Sequence, residues 1–319
     1  MSITIITPGR FIDGEAPEAR CGLEGWFTLR AKDRWGRVRR ERKFPTHNLI
    51  TDLGLDRFGS ENANSTYNRC HVGLGVTPPQ VTDNQLANFL ANIQTGSPSQ
   101  TNGTSPAPDY YSWRRIEFTS AIGALGNNNL TEVGISGQNT NGLLFSRDLI
   151  KDSGGNPSAF PISDDEQLTV IYELRIYPPI SDSSATVSVG ANTHDTLSRA
   201  RNVTGGVWGI VASTQSSNNF SRAGSGQQGA YSGDLVAIDA NVPSGSLGGA
   251  SSGSVSDYNN GDHYRDVTNV WNVGTGNGDI RTVLFTVSCC SFQCQYDPPI
   301  TKTSDQTLTL HQRISWGRR

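Results

Sequence analysis

Membrane-length hydrophobic runs are missing from this sequence, since no stretch approaches the roughly 20 apolar residues that a spanning helix needs. The start, Met1-Ser-Ile-Thr-Ile-Ile-Thr-Pro8, lacks the charged segment and long apolar core of a secretory signal. The expectation is a chain made in a cytoplasm and kept there until it joins something larger. Histidine is scarce: His47, His71, His194, His263 and His311 share no spacing that would make a metal cage or a catalytic base. Neither the phosphate-binding G-x-x-x-x-G-K-[ST] nor the zinc-binding H-E-x-x-H pattern occurs. The expectation is not an enzyme, with no cofactor and no metal.

Cysteine is also sparse. There are five, an odd number, three of them crowded as Cys289, Cys290 and Cys294, which does not read as a secreted disulfide framework. A structural zinc would need a fourth ligand, and vicinal cysteines on a strand point to opposite faces. Reduced, packed thiols are expected. The formal charge of −3 gives no global attraction to nucleic acid or to an anionic membrane.

What the chain does have is glycine, 35 residues of it, beside a hydrophobic content of only 34%. That balance suits thin β-sandwich cores with many turns rather than a helical bundle. The 319 residues suffice for two ordinary domains. An internal echo supports that division. Ser163 to Ile176 aligns without a gap to Thr303 to Trp316, and Arg115 to Ser136 falls in register with Arg265 to Thr286. The expected fold is all-β, with two tandem related β-sandwich-like domains, short helices and long Gly/Ser loops. Residues 1–21 read as an N-terminal arm, 22–180 as the first domain and 181–319 as its duplicate, divided after Pro178-Pro179.

Along the first unit, Trp26–Ala31 and Val38–Phe44 alternate as two strands of a hairpin around the turn Asp33–Gly36. Thr51 is placed to cap a short helix that Gly59 can end. A second helix is expected after Asp83, with Leu86, Phe89, Leu90 and Ile93 on one face. Residues 95–109 read as a loop. Cys70–Gly75, Trp113–Phe118, Leu130–Ser136, Leu143–Ile150 and Gln167–Tyr177 read as strands. In the second unit, Ala185–Val189 and Val207–Val211 read as strands, and Leu235–Ile238 is placed as the counterpart of Val72–Leu74. The tracts 224–233 and 244–254 read as surface or contact loops.

Candidate chemistry is thin. Asp164, Asp165 and Glu166 are consecutive, so they cannot face one another across a glycosidic bond, and a solvated turn is expected. Asp257–Asp262 has calcium-like oxygen spacing but misses the required glycine position and the distal bidentate glutamate. The strongest local signal is the segment from Arg34 to Lys43. Its residues Arg34, Trp35, Arg37, Arg39, Arg40, Arg42 and Lys43 put basic side chains on both faces of a strand. Such a hairpin projects, meets an acidic partner, or is a charged edge strand guarded against pairing. Trp35 among arginines also suits nucleic-acid stacking, although a slightly acidic chain favours a protein partner.

Five blocks in fixed order carry a resemblance: Asn48–Asp56, His71–Pro79, Leu130–Ile135, Leu144–Ile150 and Glu166–Pro179. Over residues 45–179 they resemble a structural protein family of tailed bacteriophages from the tail, neck or baseplate region. That resemblance implies a virion protein of the tail, collar or fibre-attachment region. Its partners would be other virion proteins and copies of itself, and it would have no catalytic residues to transfer. Two alternatives stay open. One is a capsid decoration protein. The other is a receptor- or glycan-binding module, in which Tyr110, Tyr111, Trp113, Tyr258 or Trp271 would stack on host-surface sugars, although core packing is the default for these aromatics.

Overall fold

The structure is a computed structural model that describes residues 4–5, 18–60, 67–94, 101–105, 109–205, 208, 228–287 and 289–319. Strands β1 (Thr4–Ile5), β2 (Glu18–Asp33), β3 (Val38–Lys43) and β4 (Leu49–Ile50) precede the helix α1 (Asp52–Ser60). Then come β5 (Arg69–Gly73), β6 (Phe89–Gln94), β7 (Thr101–Ser105), β8 (Tyr111–Thr119) and β9 (Asn128–Leu130). They are followed by β10 (Glu132–Ser136), β11 (Leu144–Leu149), β12 (Phe160–Ile162) and β13 (Glu166–Tyr177). Beyond the Pro178-Pro179 pair lie β14 (Ser183–Val189), β15 (Asn192–Ala200), β16 (Gly229–Tyr231), β17 (Ser246–Gly249) and β18 (Ser252–Val255). The last four are β19 (Tyr264–Trp271), β20 (Gly278–Val287), β21 (Cys290–Lys302) and β22 (Thr307–Arg318). The fold is all-β, and α1 is the one helix among the described residues.

Strands from both sides of residue 180 share one sheet. Its order is β18-β19-β22-β2-β13-β8-β7, with β1 beside β22 and β3 beside β2. A five-stranded sheet, β4-β11-β10-β5-β6, belongs to the first half, and a six-stranded sheet, β14-β15-β21-β20-β16-β17, to the second. β9 and β12 form a small pair. The long strand β2 alternates along most of its length, so Cys21, Leu23, Phe27, Leu29 and Ala31 all point to one face and are buried. Tyr172, Val170 and Leu168 of β13 stand opposite Phe27, Leu29 and Ala31 and share that face. On the other flank Trp316 of β22 is in register with Cys21. Its indole Nε1 donates to the Leu55 carbonyl of α1 at 3.0 Å, while Gln312 of the same face donates to Ser198 of β15. The five-stranded sheet with its helix and the six-stranded sheet therefore cover the same face of the shared sheet, and one continuous apolar core runs beneath both.

The sequence echo has a place in this topology. β13 and β22, which carry it, flank β2 on either side, β13 antiparallel and β22 parallel to it. β8 lies outside β13 and β19 outside β22. Leu174 faces Arg114 in one pair and Ile314 faces Arg265 in the other, and both arginines are buried. Arg265 thus stands where Arg114 stands, one residue away from the gap-free match with Arg115. A one-residue slip would send every side chain to the opposite face, so burial sets the register. The two guanidiniums reach toward the exit of α1: Arg114 donates to the Tyr67 hydroxyl at 3.2 Å, and Arg265 to the Gly59 carbonyl at 2.8 Å.

The expected first helix is present. Thr51 Oγ1 accepts the Gly54 N–H at 2.9 Å and donates to the Leu144 carbonyl at 2.6 Å, capping the helix and fastening it to β11. The expected second helix is absent. Phe89–Gln94 is strand β6, paired with β5, and the residues before it wrap a carboxylate, with the N–H groups of Ala87 and Asn88 donating to Glu132. Those side-chain bonds satisfy the backbone without a helix. Within 95–109, Thr101–Ser105 is strand β7, paired with β8. Ala19 and Cys21, read as part of an arm, are buried in β2. Leu235–Ile238 forms no strand, whereas the Gly/Ser tracts contain β16, β17 and β18. Of Val207–Val211 only Trp208 lies within the described residues, as do only residues 4–5 and 18–21 of the arm.

Candidate functional site

The basic segment is the hairpin formed by β2 and β3. Its turn is organised by Asp33, which is buried and accepts the N–H groups of Trp35 and Arg37, each at 3.0 Å. The guanidiniums of Arg37 and Arg39 each approach its carboxylate to 2.8 Å. Burial works against the charged form of Asp33, but the N–H of Arg37, its guanidinium and the N–H of Trp35 outweigh it and hold the carboxyl below the usual range.

Five of the seven predicted residues divide into two groups. Arg40 and Arg42 fasten the hairpin to the body. Arg40 pairs with the buried Glu166 and donates to the Pro161 carbonyl at 3.2 Å. Arg42 donates to the carbonyls of Ser158 and Ala159 at 3.1 and 2.9 Å and lies over the Phe160 ring. Arg34, Trp35 and Arg37 form the projecting tip. The Trp35 side chain is 69% exposed, with the Arg37 and Arg34 guanidiniums 4.7 and 5.6 Å from the ring centre. Arg39 flanks the tip on Asp33, and Lys43 is exposed at the far end of β3. An exposed tryptophan framed by arginines has the composition of a binding hot spot.

The other face of the shared sheet carries a second aromatic array. Arg175 lies between Trp26 and Tyr111, 4.8 and 4.5 Å from their ring centres, and Arg115 lies 5.0 Å from that of Trp113. Glu173 accepts from Arg115 at 2.5 Å and from Arg175 at 2.7 Å. The Tyr177 hydroxyl donates to Glu24 at 2.7 Å, and burial together with that carboxylate raises Tyr177 to about 12, against the pull of Arg175. Guanidiniums therefore cap ring faces that a sugar would need. Of the other aromatics considered for stacking, Trp271 is in the core, and Tyr258 stacks on Trp316 with its hydroxyl on Asp56 at 2.6 Å. Tyr110 is half-buried against the core.

The remaining candidates resolve into structural roles. All five cysteines are free and buried. The thiols of Cys21 and Cys289 adjoin that of Cys290, and burial pushes Cys290 well above the ordinary thiol range, so it stays protonated. Glu166 closes its own turn by accepting the Ser163 N–H at 2.9 Å, while Asp164 and Asp165 are exposed. Within the Asp257–Asp262 loop, Gly261 donates its N–H to Asp56 of α1 at 2.7 Å. Among the described residues no group of three or more metal-ligating side chains has the geometry to hold an ion.

The sequence is expected to hold no G-x-S-x-G pattern, and that expectation is wrong: Gly249-Ala-Ser251-Ser-Gly253 has the letters of a nucleophile elbow. Ser251 sits between the short strands β17 and β18, with its hydroxyl on Thr275 at 3.0 Å and on the Asn272 N–H at 3.0 Å, so neither partner is a base.

Sequence reasoning also passed over the buried charges of the five-stranded sheet. Glu132, fully buried, accepts the N–H groups of Gly75, Ala87 and Asn88 and the Arg147 guanidinium, at 2.7 to 3.2 Å. Arg147 also binds Asp83 and the Thr77 carbonyl, so the pair pins the loop 74–88. The signal was charge inside two otherwise apolar runs, Glu132 in Thr131–Ser136 and Arg147 with Asp148 in Leu144–Ile150.

No family model, no curated protein and no solved structure matches this chain. The functional reading therefore rests on its own residues.

Proposed function

We propose that the chain is a structural virion protein of a tailed bacteriophage, assembling in the tail, collar or fibre-attachment region through contacts with other virion proteins and with itself. The observation that carries this reading is the convergence of the five resemblance blocks. Four of them supply β4 with α1, β5, β10 and β11, which are neighbours in the five-stranded sheet. The fifth is β13, in the sheet beneath. Segments spread over 130 residues thus make one structural module, which is what a shared family unit requires.

The tip of the basic hairpin is the assigned contact, directed at an acidic, partly apolar partner surface. Because Arg40 and Arg42 hold the hairpin in place and Arg37 also holds Asp33, the informative variant is R34S/W35S, which alters only projecting groups. Loss of particle incorporation with an unchanged circular dichroism spectrum is expected, and normal incorporation would overturn the assignment. Quantitative mass spectrometry of purified virions, scaled to the major capsid protein, tests the wider reading through symmetry. A small multiple of three or six places the chain in the tail or neck. Hundreds of copies make it a decoration protein, and absence removes the virion reading. A receptor- or glycan-binding module would use the outer array of Trp26, Tyr111 and Trp113; binding on a glycan array that W113A abolishes would favour it.

A further inference from the structure

Sheet edges invite other chains to pair with them, and natural proteins blunt them with charge, proline, bulges or brevity. Most edges here are blunted. β3 is densely charged. β4 has two residues, β18 has four, and β17 has four and is bulged against its neighbour. β6 has a register break against β5.

β14 is the longest edge without such protection; β7, at the end of the nine-stranded sheet, is also uncharged but has only five residues. β14 is the outermost strand of the six-stranded sheet, seven residues long, and among the described residues no strand pairs with its outer side. Its sequence, Ser183-Ser-Ala-Thr-Val-Ser-Val189, has no charge and no proline, and its register with β15 is unbroken. The neighbouring charges are neutralised within the chain: Asp182 is held by Arg199 at 2.6 Å, and Asp297 by Arg281 at 2.8 Å. Asp195 accepts the Thr186 hydroxyl at 2.8 Å. Ile180, just before the strand, is 79% exposed.

We infer that β14 pairs with β14 of a second copy of this chain, antiparallel about a two-fold axis through Thr186. An isologous contact needs a surface complementary to itself. A neutral strand meets that condition because no like charges face each other. With Thr186 on the axis, Ser184 lies opposite Ser188 and Ala185 opposite Val187. The exposed Ile180 then reaches toward the Gly190-Ala191 turn of the other copy. Two six-stranded sheets become one of twelve. The inference does not depend on the virion reading, because it rests on the edge alone.

Seven paired residues span roughly 24 Å. Such a contact buries well under the ~1,600 Å² of a standard interface, so the pair should be weak, with a dissociation constant of about 10–100 μM. Sedimentation equilibrium of the full chain should show a monomer–dimer equilibrium in that range. S184K/S188K, which places lysines on exposed positions of the edge, should weaken it at least about tenfold. Because all five native cysteines are buried, an added thiol reports cleanly. Under glutathione disulfide, which accepts two electrons per disulfide formed, T186C should cross-link to its symmetry mate. S184C, displaced from the axis, should not, and S184C/S188C should. A chain that stays monomeric into the millimolar range, or equal cross-linking of T186C and S184C, would overturn the inference. A dimer insensitive to S184K/S188K would do so too.

Discussion

Glu132 shows why a buried charge can be indispensable without being an ordinary ion pair. Apolar replacement of both partners of a buried pair is often neutral, whereas removing one partner costs about 3–5 kcal/mol. Here the carboxylate also satisfies three backbone N–H groups, which no hydrophobic side chain can replace. E132A should lose about 3–5 kcal/mol in urea unfolding, and E132L/R147L should fail to recover it. At His71 the effect is one of pH. Burial lowers its pKa below 6.5, with the Gln138 carbonyl at 2.9 Å opposing the shift. The unfolded chain then binds the proton more readily than the folded one, so stability is lost as pH falls below about 6.5. His311 is lowered by burial in the same direction. Thermal melts of the wild type should fall between pH 7 and pH 5.5, and H71Q should show a shallower fall. A parallel pair of curves would contradict this.

At the scale of elements, α1 sets a propensity against a contact. Alanine at Gly54 would gain about 1 kcal/mol of helix propensity. Its Cβ would fall 2.1 Å from the Phe145 carbonyl oxygen, a backbone atom of β11 held by β4 and β10 on either side. The clash wins, and G54A should destabilise by about 1–2 kcal/mol in chemical denaturation. Much of this level was legible in the sequence. The hairpin around Asp33, the cap at Thr51 and the strands now numbered β5, β8, β10, β11 and β13 follow from alternation and turn chemistry. β6 was not, because four apolar residues fit helical spacing while the deciding bonds run from Ala87 and Asn88 to Glu132, 45 and 44 residues away. The roles of Arg40 and Arg42 were illegible too, since their acceptors are carbonyls and a carboxylate contributed more than 110 residues later.

For the whole molecule, the echo of Ser163–Ile176 in Thr303–Trp316 is legible in the sequence, but the place of its two strands is not. Nothing local in Glu18–Leu23 announces that Arg313–Arg318 will lie parallel to it. The all-β class follows from composition, whereas the shared sheet is a property of pairing. Because β2 is bonded to β13 on one side and β22 on the other, heat should unfold the two halves together. Calorimetry should record one transition, and two well-separated ones would show that the halves are independent. Residues 1–180 expressed alone would leave the Cys21 and Leu23 end of β2 without β22 and should aggregate.

The parallel seam between β2 and β22 also has a consequence in time. It joins residues roughly 300 positions apart, a closure whose entropy must be met before any of its contacts reward it. During synthesis at about 5–20 residues per second, β2 therefore waits roughly 15–60 seconds with one edge open. The nascent chain is a natural client for a chaperone during that interval, and the charges crowded into β3 guard the rest of the same edge while it waits.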